Sequence, residues 1–308
     1  MPGGGPRRVR RVVAAALVPL LAAAVCAGGV ALYLQDRTTR QIQTLVGEDT
    51  DGAQLEFDVT VQKVDTAAQE LQLSVLPVPL GSLAARDDAR APRTAVKIET
   101  SSLSQPVIQL AADEPVSLRR VSLPLTGGIF TDYPFDRYHA QLSLLALVDG
   151  DTVPVTIVLQ DSDPFFATRV AAGTYRDGVL GIDMHSTRTL GTLILAWFMM
   201  AAMWAVALVV VGAAAMLVRR RQPLTWPALG WLAATLFALV GLRNAAPGSP
   251  PIGSLFDYAA FFWAEVLVAV SLVGAAAAGI RFERGILRRE QAERAEQARR
   301  ARAADADA

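Results

Sequence analysis

Three ionisable residues lie in or beside the last two long apolar stretches of the chain. Arg243 ends one stretch, Asp257 begins the next, and Glu265 lies about 12 Å further along a helix. An unpaired charge near the middle of a bilayer is costly. We therefore expect Arg243 to pair with Asp257, and Asp257 and Glu265 to share one helix face. Glu265 is either a protonated group that hydrogen-bonds and stabilises the helix bundle or part of a proton or ion path.

A second distinctive segment lies outside the apolar stretches. It consists of Tyr133, Pro134, Phe135, Asp136, Arg137 and Tyr138. The proline fixes φ and cannot donate a ladder hydrogen bond, so the segment is predicted to be a turn that enters a strand. Asp136 is expected to accept backbone hydrogen bonds or to pair with Arg137, with the aromatic rings packed beneath. The segment is interpreted as a folding corner, with a contact surface against the membrane helices or a partner as the alternative.

Metal and catalytic chemistry is not indicated by the sequence. The segment Asp161-Ser162-Asp163 has too few oxygens for the about six to eight ligands of calcium, so a turn is predicted. His139 and His185 are the only histidines, and neither has a second ligand at zinc spacing. The sequence contains no nucleophile elbow, phosphate-binding glycine loop or paired-carboxylate site. The chain is therefore not expected to be an enzyme, and no cofactor is expected.

The elements that carry these residues include four long apolar stretches. Each approaches the about 20 residues that an α-helix needs to cross a bilayer. The predicted transmembrane helices cover 12–34, 189–218, 226–242 and 257–280. The first stretch could instead be a signal peptide cleaved near Cys26, but it exceeds the usual signal core of about 7–15 residues, which favours an uncleaved anchor.

Clusters of arginines flank the apolar stretches on one side only. The positive-inside rule places the basic N-terminus 1–11, the loop 219–225 and a charged helical tail 281–308 in the cytoplasm. Residues 35–188, with 21 acidic and 13 basic residues, and the loop 243–256 then lie outside. The predicted location is the cell membrane, crossed several times, with both termini cytoplasmic. The formal net charge of +0 hides this asymmetry and does not indicate nucleic-acid binding.

The exterior region has short alternating runs in place of long apolar ones. Residues 55–61 and 71–75 alternate apolar and polar side chains, which is the period of a half-buried strand. Asp149-Gly150 and Asp177-Gly178 predict hairpin turns, because aspartate and glycine tolerate positive φ. Residues 81–93 are predicted to be a long polar loop. Further candidate strands cover 95–99, 116–123, 138–147, 153–159 and 179–183.

The predicted fold class is therefore an α+β membrane protein. It has an N-terminal transmembrane helix, an extracytoplasmic antiparallel β-sandwich-like domain of about seven or eight strands, and a C-terminal bundle of three transmembrane helices. All basic residues except Lys63 and Lys97 are arginines, a bias typical of GC-rich genomes such as those of actinobacteria.

Several short motifs follow one another along the chain in a characteristic order. They are the anchor, Tyr-Pro-Phe-Asp-Arg-Tyr, Leu242-Arg243-Asn244, Pro247-Gly248, Pro250-Pro251-Ile252-Gly253, Asp257 and Phe262-Trp263-Ala264-Glu265. In this order they resemble the bacterial membrane proteins grouped as domain of unknown function 4436, from the anchor to the last span. The resemblance implies a cell-membrane protein of unassigned activity and adds no reaction, cofactor or ligand.

The leading functional prediction is a non-catalytic envelope scaffold or binding protein whose outer β domain contacts a partner or cell-wall component. The alternative is an oligomeric channel or ion-coupled membrane component that uses Glu265. A third hypothesis is signalling through the cytoplasmic tail. The expected partners are the lipid bilayer and either another protein or further copies of this chain, joined through the transmembrane helices. Nucleic acid is not an expected partner.

Overall fold

The chain divides into two compact units. The computed structural model describes residues 27–31, 34, 44–47, 52–86, 90–220 and 226–306, with backbone only over 298–306. The first unit, called the β unit, contains residues up to 130 together with 134–194. The second, called the helical unit, contains Thr131–Tyr133 and the chain from Leu195 onward.

The predicted N-terminal membrane helix lies mostly outside the described residues. Within 12–34, only 27–31 and 34 are described, and these are helical and exposed. The predicted loop 219–225 also lies outside them apart from its first two residues. The β domain and the three later helices are the parts of the predicted fold on which the structure bears.

The described part of the β unit contains eleven strands. In chain order they are β1 Thr44–Gly47, β2 Gln54–Asp65, β3 Glu70–Leu80, β4 Val96–Thr100, β5 Val107–Leu110, β6 Arg119–Pro124, β7 Arg137–Val148, β8 Asp151–Val153, β9 Val155–Asp161, β10 Phe166–Arg176 and β11 Val179–Arg188. One sheet has the order β1-β9-β2-β3-β6, and the other has the order β10-β11-β7-β4-β5 with β8 paired to β7.

Both sheets contribute to one hydrophobic core. Leu55 and Phe57 of β2 and Leu142 and Leu144 of β7 are buried, while the residues between them are more exposed. Since neighbouring residues of a strand point to opposite faces, this alternation gives each sheet one apolar face. The β-rich domain is thus confirmed.

The prediction of a wholly antiparallel module is wrong at one pair of strands. β2 and β9 run parallel, whereas the other strand pairs of the described chain are antiparallel. The two strands are about 90 residues apart in sequence, a separation that permits the long crossover a parallel pair requires.

The two predicted hairpin turns are confirmed. Asp149 and Gly150 have φ of 53° and 95° between β7 and β8, and Asp177 and Gly178 have φ of 52° and 82° between β10 and β11. Positive φ at both central residues is the geometry that suits a two-residue hairpin. The predicted loop over 81–93 begins instead with a 3-10 turn at Gly81–Leu83.

Three helices follow the β strands. They are α1 Leu190–Arg219, α2 Trp226–Asn244 and α3 Phe262–Ala306, and a π-helical turn, Asp257–Phe261, leads directly into α3. Each of the three helical segments is long and apolar enough to cross a membrane. The structure therefore agrees with the three C-terminal spans expected from the sequence.

Candidate functional site

A buried ion pair joins the end of α2 to the start of the π turn. Arg243 donates from Nε to Oδ1 of Asp257 and from Nη2 to Oδ2, each at 2.8 Å. The side chain of Asp257 is fully buried and that of Arg243 is 9% exposed. Two parallel N–H···O bonds between planar groups form the strongest and most directional type of arginine–carboxylate contact. The structure thus brings these two sequence-predicted residues together.

The same pair holds the loop between the two helices. Arg243 Nη2 also donates to the carbonyl oxygen of Pro251 at 2.9 Å. Asp257 Oδ2 accepts the backbone N–H of Gly253 at 2.8 Å and that of Ser254 at 3.3 Å. Gly253 has φ of 84°, a conformation that glycine adopts without steric cost. The loop backbone is therefore bonded to both charged side chains.

The π turn that starts at Asp257 also binds α1. The backbone N–H of Phe262 donates to the carbonyl of Asp257, which is the five-residue step of a π turn. The indole N–H of Trp204 in α1 donates to the carbonyl of Ala259 at 3.0 Å. Sequence reasoning did not predict this turn, because its residues continue the apolar pattern of the span without a break.

Glu265 is not part of this cluster. Between residues 256 and 268, the buried residues are Phe256, Asp257, Ala260, Ala264 and Val268. Glu265 lies beside that row, is partly exposed, and has no hydrogen-bond or ion-pair partner among the residues that the structure describes. The acidic face expected from Asp257 and Glu265 is therefore divided into a paired buried carboxylate and a separate partly exposed one.

The Tyr133–Tyr138 segment is divided between the two units. Tyr133 belongs to the helical unit, where its ring meets Phe256 edge-on at 5.8 Å between centroids. The remaining residues belong to the β unit, in which Tyr138 is buried and Phe135 is exposed. The two tyrosines are therefore buried in different units, whereas Phe135, 50% exposed, is not packed beneath the corner as expected.

The expected pairing of Asp136 with Arg137 is wrong. Asp136 accepts two hydrogen bonds from Arg188, one from Nε and one from Nη2, each at 2.9 Å, and both side chains are buried. The guanidinium carbon of Arg188 lies 4.0 Å from the ring centroid of Phe166, a cation–π contact. The register pairs Arg137 with Thr187, so the preceding Asp136 lies near Arg188 while Arg137 points to the exposed face.

The residues after this pair begin α1. The backbone N–H of Thr189 donates to the carbonyl of Phe165 at 3.0 Å, and its hydroxyl accepts the N–H of Thr192 at 3.2 Å. A hydroxyl that accepts the N–H three residues later is a helix N-cap. One residue therefore separates the last strand from the first apolar helix, and its side chain caps that helix.

The carboxylates of Asp161 and Asp163 bind backbone groups of a turn. Asp163 accepts the N–H of Val64 at 2.6 Å and that of Phe165 at 2.7 Å, and Asp161 accepts the N–H of Thr168 at 2.7 Å. These bonds support the interpretation of the segment as a turn. Within the described ranges, no group of three or more His, Cys, Asp or Glu side chains is arranged to hold a metal ion.

Sequence reasoning missed one pair of side chains with chemical potential. His139 on β7 and His185 on β11 are directly opposite in the register, and their ring centroids are 4.0 Å apart. They lie in a surface depression of about 650 Å³. The two histidines are 46 positions apart, so only the strand register of β7 and β11 could have revealed the pair.

Comparison with known families supports the division of the chain. Residues 188–282 match the family model described as domain of unknown function DUF8686, which includes the Arg243–Asp257 pair and the motifs that follow it. No curated protein matches the chain. Residues 45–186 match the model of domain of unknown function DUF4436, which covers nearly all the strands. The β domain thus matches the domain of unknown function 4436 that the sequence motifs resemble.

Proposed function

We propose that the chain is a non-catalytic, membrane-anchored envelope scaffold or binding protein, whose β unit contacts a protein partner or a cell-wall component. The observation that carries this proposal is the bonding of Arg243. Its guanidinium binds Asp257 and the carbonyl of Pro251, and the carboxylate binds the loop backbone in return. Charges that are buried and bonded to each other in this way are not presented to a substrate.

The proposed location is the cell membrane, with the β unit outside and both termini in the cytoplasm. The charge pattern supports this orientation. Arg219 ends α1 and Arg220 follows it, and Arg281 and Arg284 follow the apolar part of α3. Basic residues next to membrane helices are enriched on the cytoplasmic side.

Co-purification of the full chain from native membranes in mild detergent tests the scaffold. The matched variants alter exposed apolar side chains of the β unit. Ile129 and Phe130, 60% and 43% exposed, precede the Tyr133–Tyr138 segment, and Leu103, 73% exposed, is the control. A companion should be recovered in fixed ratio with the parent and with Leu103→Ser. Its recovery should fall about tenfold with Ile129→Ser/Phe130→Ser, the effect of about 1.4 kcal/mol at a binding interface. A lone monomer from native membranes contradicts the proposal.

The second candidate function is an oligomeric channel or ion-coupled component that uses Glu265. The observation that favours it is the partly exposed Glu265 within a candidate span, outside the Arg243–Asp257 cluster. Liposomes that contain the purified chain should then leak protons or cations. Glu265→Gln should abolish the leak, whereas Glu283→Gln, beyond the apolar part of the helix, should retain it. A parent protein that does not leak across voltage and pH rejects the channel.

Signalling through the tail is the third candidate. It is favoured by the continuity of α3, which runs without a break from the apolar residues at its start to Ala306. Deletion of the tail after Arg284 should then alter a cellular phenotype that the parent chain supports, while the co-purified partner is still recovered. An unchanged phenotype rejects a signalling role.

A further inference from the structure

The two histidines of the chain form a pair on the exposed face of the second sheet. His139 and His185 lie opposite each other on neighbouring antiparallel strands, and their rings are nearly perpendicular at 81°. Both side chains are exposed. A ligand from solution therefore has access to both imidazoles.

The backbone hydrogen bonds show why the two rings are so close. His139 exchanges both of its backbone hydrogen bonds with Thr126, at 2.8 and 2.9 Å, on the side away from β11. The N–H and C=O of one strand residue point to the same side, so His139 and His185 form a non-hydrogen-bonded pair. In such pairs the Cα atoms are only about 4.5 Å apart and the side chains are closer than in hydrogen-bonded pairs.

The surroundings leave room for both rings and add oxygen donors. A side chain at Gly127 would place its Cβ only 2.9 Å from Cδ2 of His139, so the imidazole occupies space that this glycine leaves free. A bulge in β10 places the small residues Ala171 and Ala172 along the same depression. Thr126, Gln141 and Asp183 also line it.

We propose that His139 and His185 together bind one divalent transition-metal ion, with Cu²⁺ bound more tightly than Ni²⁺ or Zn²⁺. Imidazole nitrogen is a common ligand for these metals, and Cu²⁺ has the highest affinity in the divalent series. Each ring turns about χ2 in a broad well, which allows one nitrogen of each to face a common point. Water and the neighbouring oxygens complete the shell. The proposal concerns the β unit alone and is independent of the scaffold function.

The test uses the full chain in detergent, purified without a polyhistidine tag, and titrated with CuCl₂. The parent should bind one Cu²⁺ and show nitrogen splitting from two imidazoles in electron paramagnetic resonance. Loss of an outer-shell partner of a metal ligand already lowers affinity about 10–100-fold, so His139→Gln or His185→Gln should lower it at least about tenfold. The double variant should lose the nitrogen signal.

The control variant is Thr187→Gln, an exposed change two residues from His185 on the same face of the sheet. It should retain the affinity and the spectrum of the parent. Equal affinity in the parent and the double histidine variant, or a parent spectrum without two-nitrogen splitting, overturns the proposal. The parent spectrum decides the result even where a variant fails to fold.

Discussion

At the scale of single residues, the described part of the chain contains two buried arginine–aspartate pairs. Arg243–Asp257 lies in the helical unit and Arg188–Asp136 in the β unit, and each has two hydrogen bonds. Removal of one member leaves an uncompensated buried charge and costs about 3–5 kcal/mol, whereas replacement of both members by apolar residues is often neutral. Each charged residue therefore depends strongly on the presence of its partner, whereas the fold depends less on the presence of the pair.

The first prediction concerns the pair in the helical unit. Asp257→Leu should lower the free energy of unfolding by about 3–5 kcal/mol, because Arg243 then stays buried without its carboxylate. The double variant Arg243→Met/Asp257→Leu should recover most of the loss. Unfolding in mild detergent, followed by tryptophan fluorescence, measures both. Glu283→Gln, at an exposed site, should stay within about 0.5 kcal/mol of the parent. An Asp257→Leu variant as stable as the parent contradicts the prediction.

The second prediction concerns the turn between β2 and β3. The Asp65 carboxylate accepts hydrogen bonds from Lys63 Nζ at 2.7 Å and from the N–H of Ala68 at 3.0 Å. These bonds, that of Lys63 foremost, hold the pKa of Asp65 below its ordinary value of 3.8. A lowered folded-state pKa contributes stability that is present above the unfolded pKa and is lost as pH falls through the folded pKa.

Asp65→Asn should therefore reduce the fall in unfolding midpoint at acid pH and leave its pH dependence near neutrality unchanged. Lys63→Gln, which removes the main cause of the shift, should act in the same direction. Midpoints measured between about pH 2 and about pH 7 compare the variants with the parent. The prediction is wrong if the acid limb of Asp65→Asn is as steep as that of the parent.

At the scale of elements, the hairpin turns are the most local part of the fold. Gly150 and Gly178 occupy equivalent positions of two-residue turns, both with positive φ. A Cβ at Gly178 would lie 2.8 Å from Cγ2 of Thr152, whereas nothing lies within 4 Å of a Cβ at Gly150. A substitution at Gly150 therefore tests backbone strain alone, whereas the same substitution at Gly178 adds a steric contact.

The third prediction uses that difference. Gly150→Ala should lower the free energy of unfolding by about 1 kcal/mol, through backbone strain alone. Gly178→Ala should lose at least about 1 kcal/mol more, because the methyl group overpacks against Thr152. Denaturant midpoints of the full chain give both values. Equal losses at the two sites would show that Thr152 moves away without cost.

Elements with strong local patterns could be predicted, whereas those set by distant partners could not. The alternation of β2 and β7 and the two Asp-Gly turns are local signals, and the structure confirms the strands and turns that they predict. Most residues at the end of β10 are exposed on both faces of the sheet. This strand therefore lacks a sustained alternation of apolar and polar residues, and the sequence does not predict it. The sequence indicates the hairpin of β10 with β11 only through the Asp177-Gly178 turn.

The candidate sites follow the same rule. Arg243 and Asp257 are separated by a short loop rich in proline and glycine, so their contact could be predicted from spacing. Asp136 and Arg188 meet only through the register of β7 with β11, and so do the two histidines. Register depends on the whole pattern of sheet pairing, which an individual motif does not contain.

At the scale of the whole molecule, the boundary between families coincides with a change of structure. The DUF4436 match ends at residue 186 and the DUF8686 match begins at residue 188, while β11 ends at Arg188 and α1 begins at Leu190. Each family model thus describes one type of secondary structure. The sequence resemblance, which treated the chain as one pattern from anchor to last span, combined two adjoining domains.

The last prediction tests the proposed orientation, on which the envelope function depends. In a chain whose one cysteine, Cys26, is replaced by serine, Glu114→Cys places a thiol on the β unit and Gln291→Cys places one on the exposed tail of α3. Because the arginines that flank the helices favour the cytoplasm, a membrane-impermeant maleimide on intact cells should label position 114 and leave position 291 unlabelled until the cells are lysed. Label at 291 but not at 114 would place the β unit in the cytoplasm and exclude a cell-wall component as its partner.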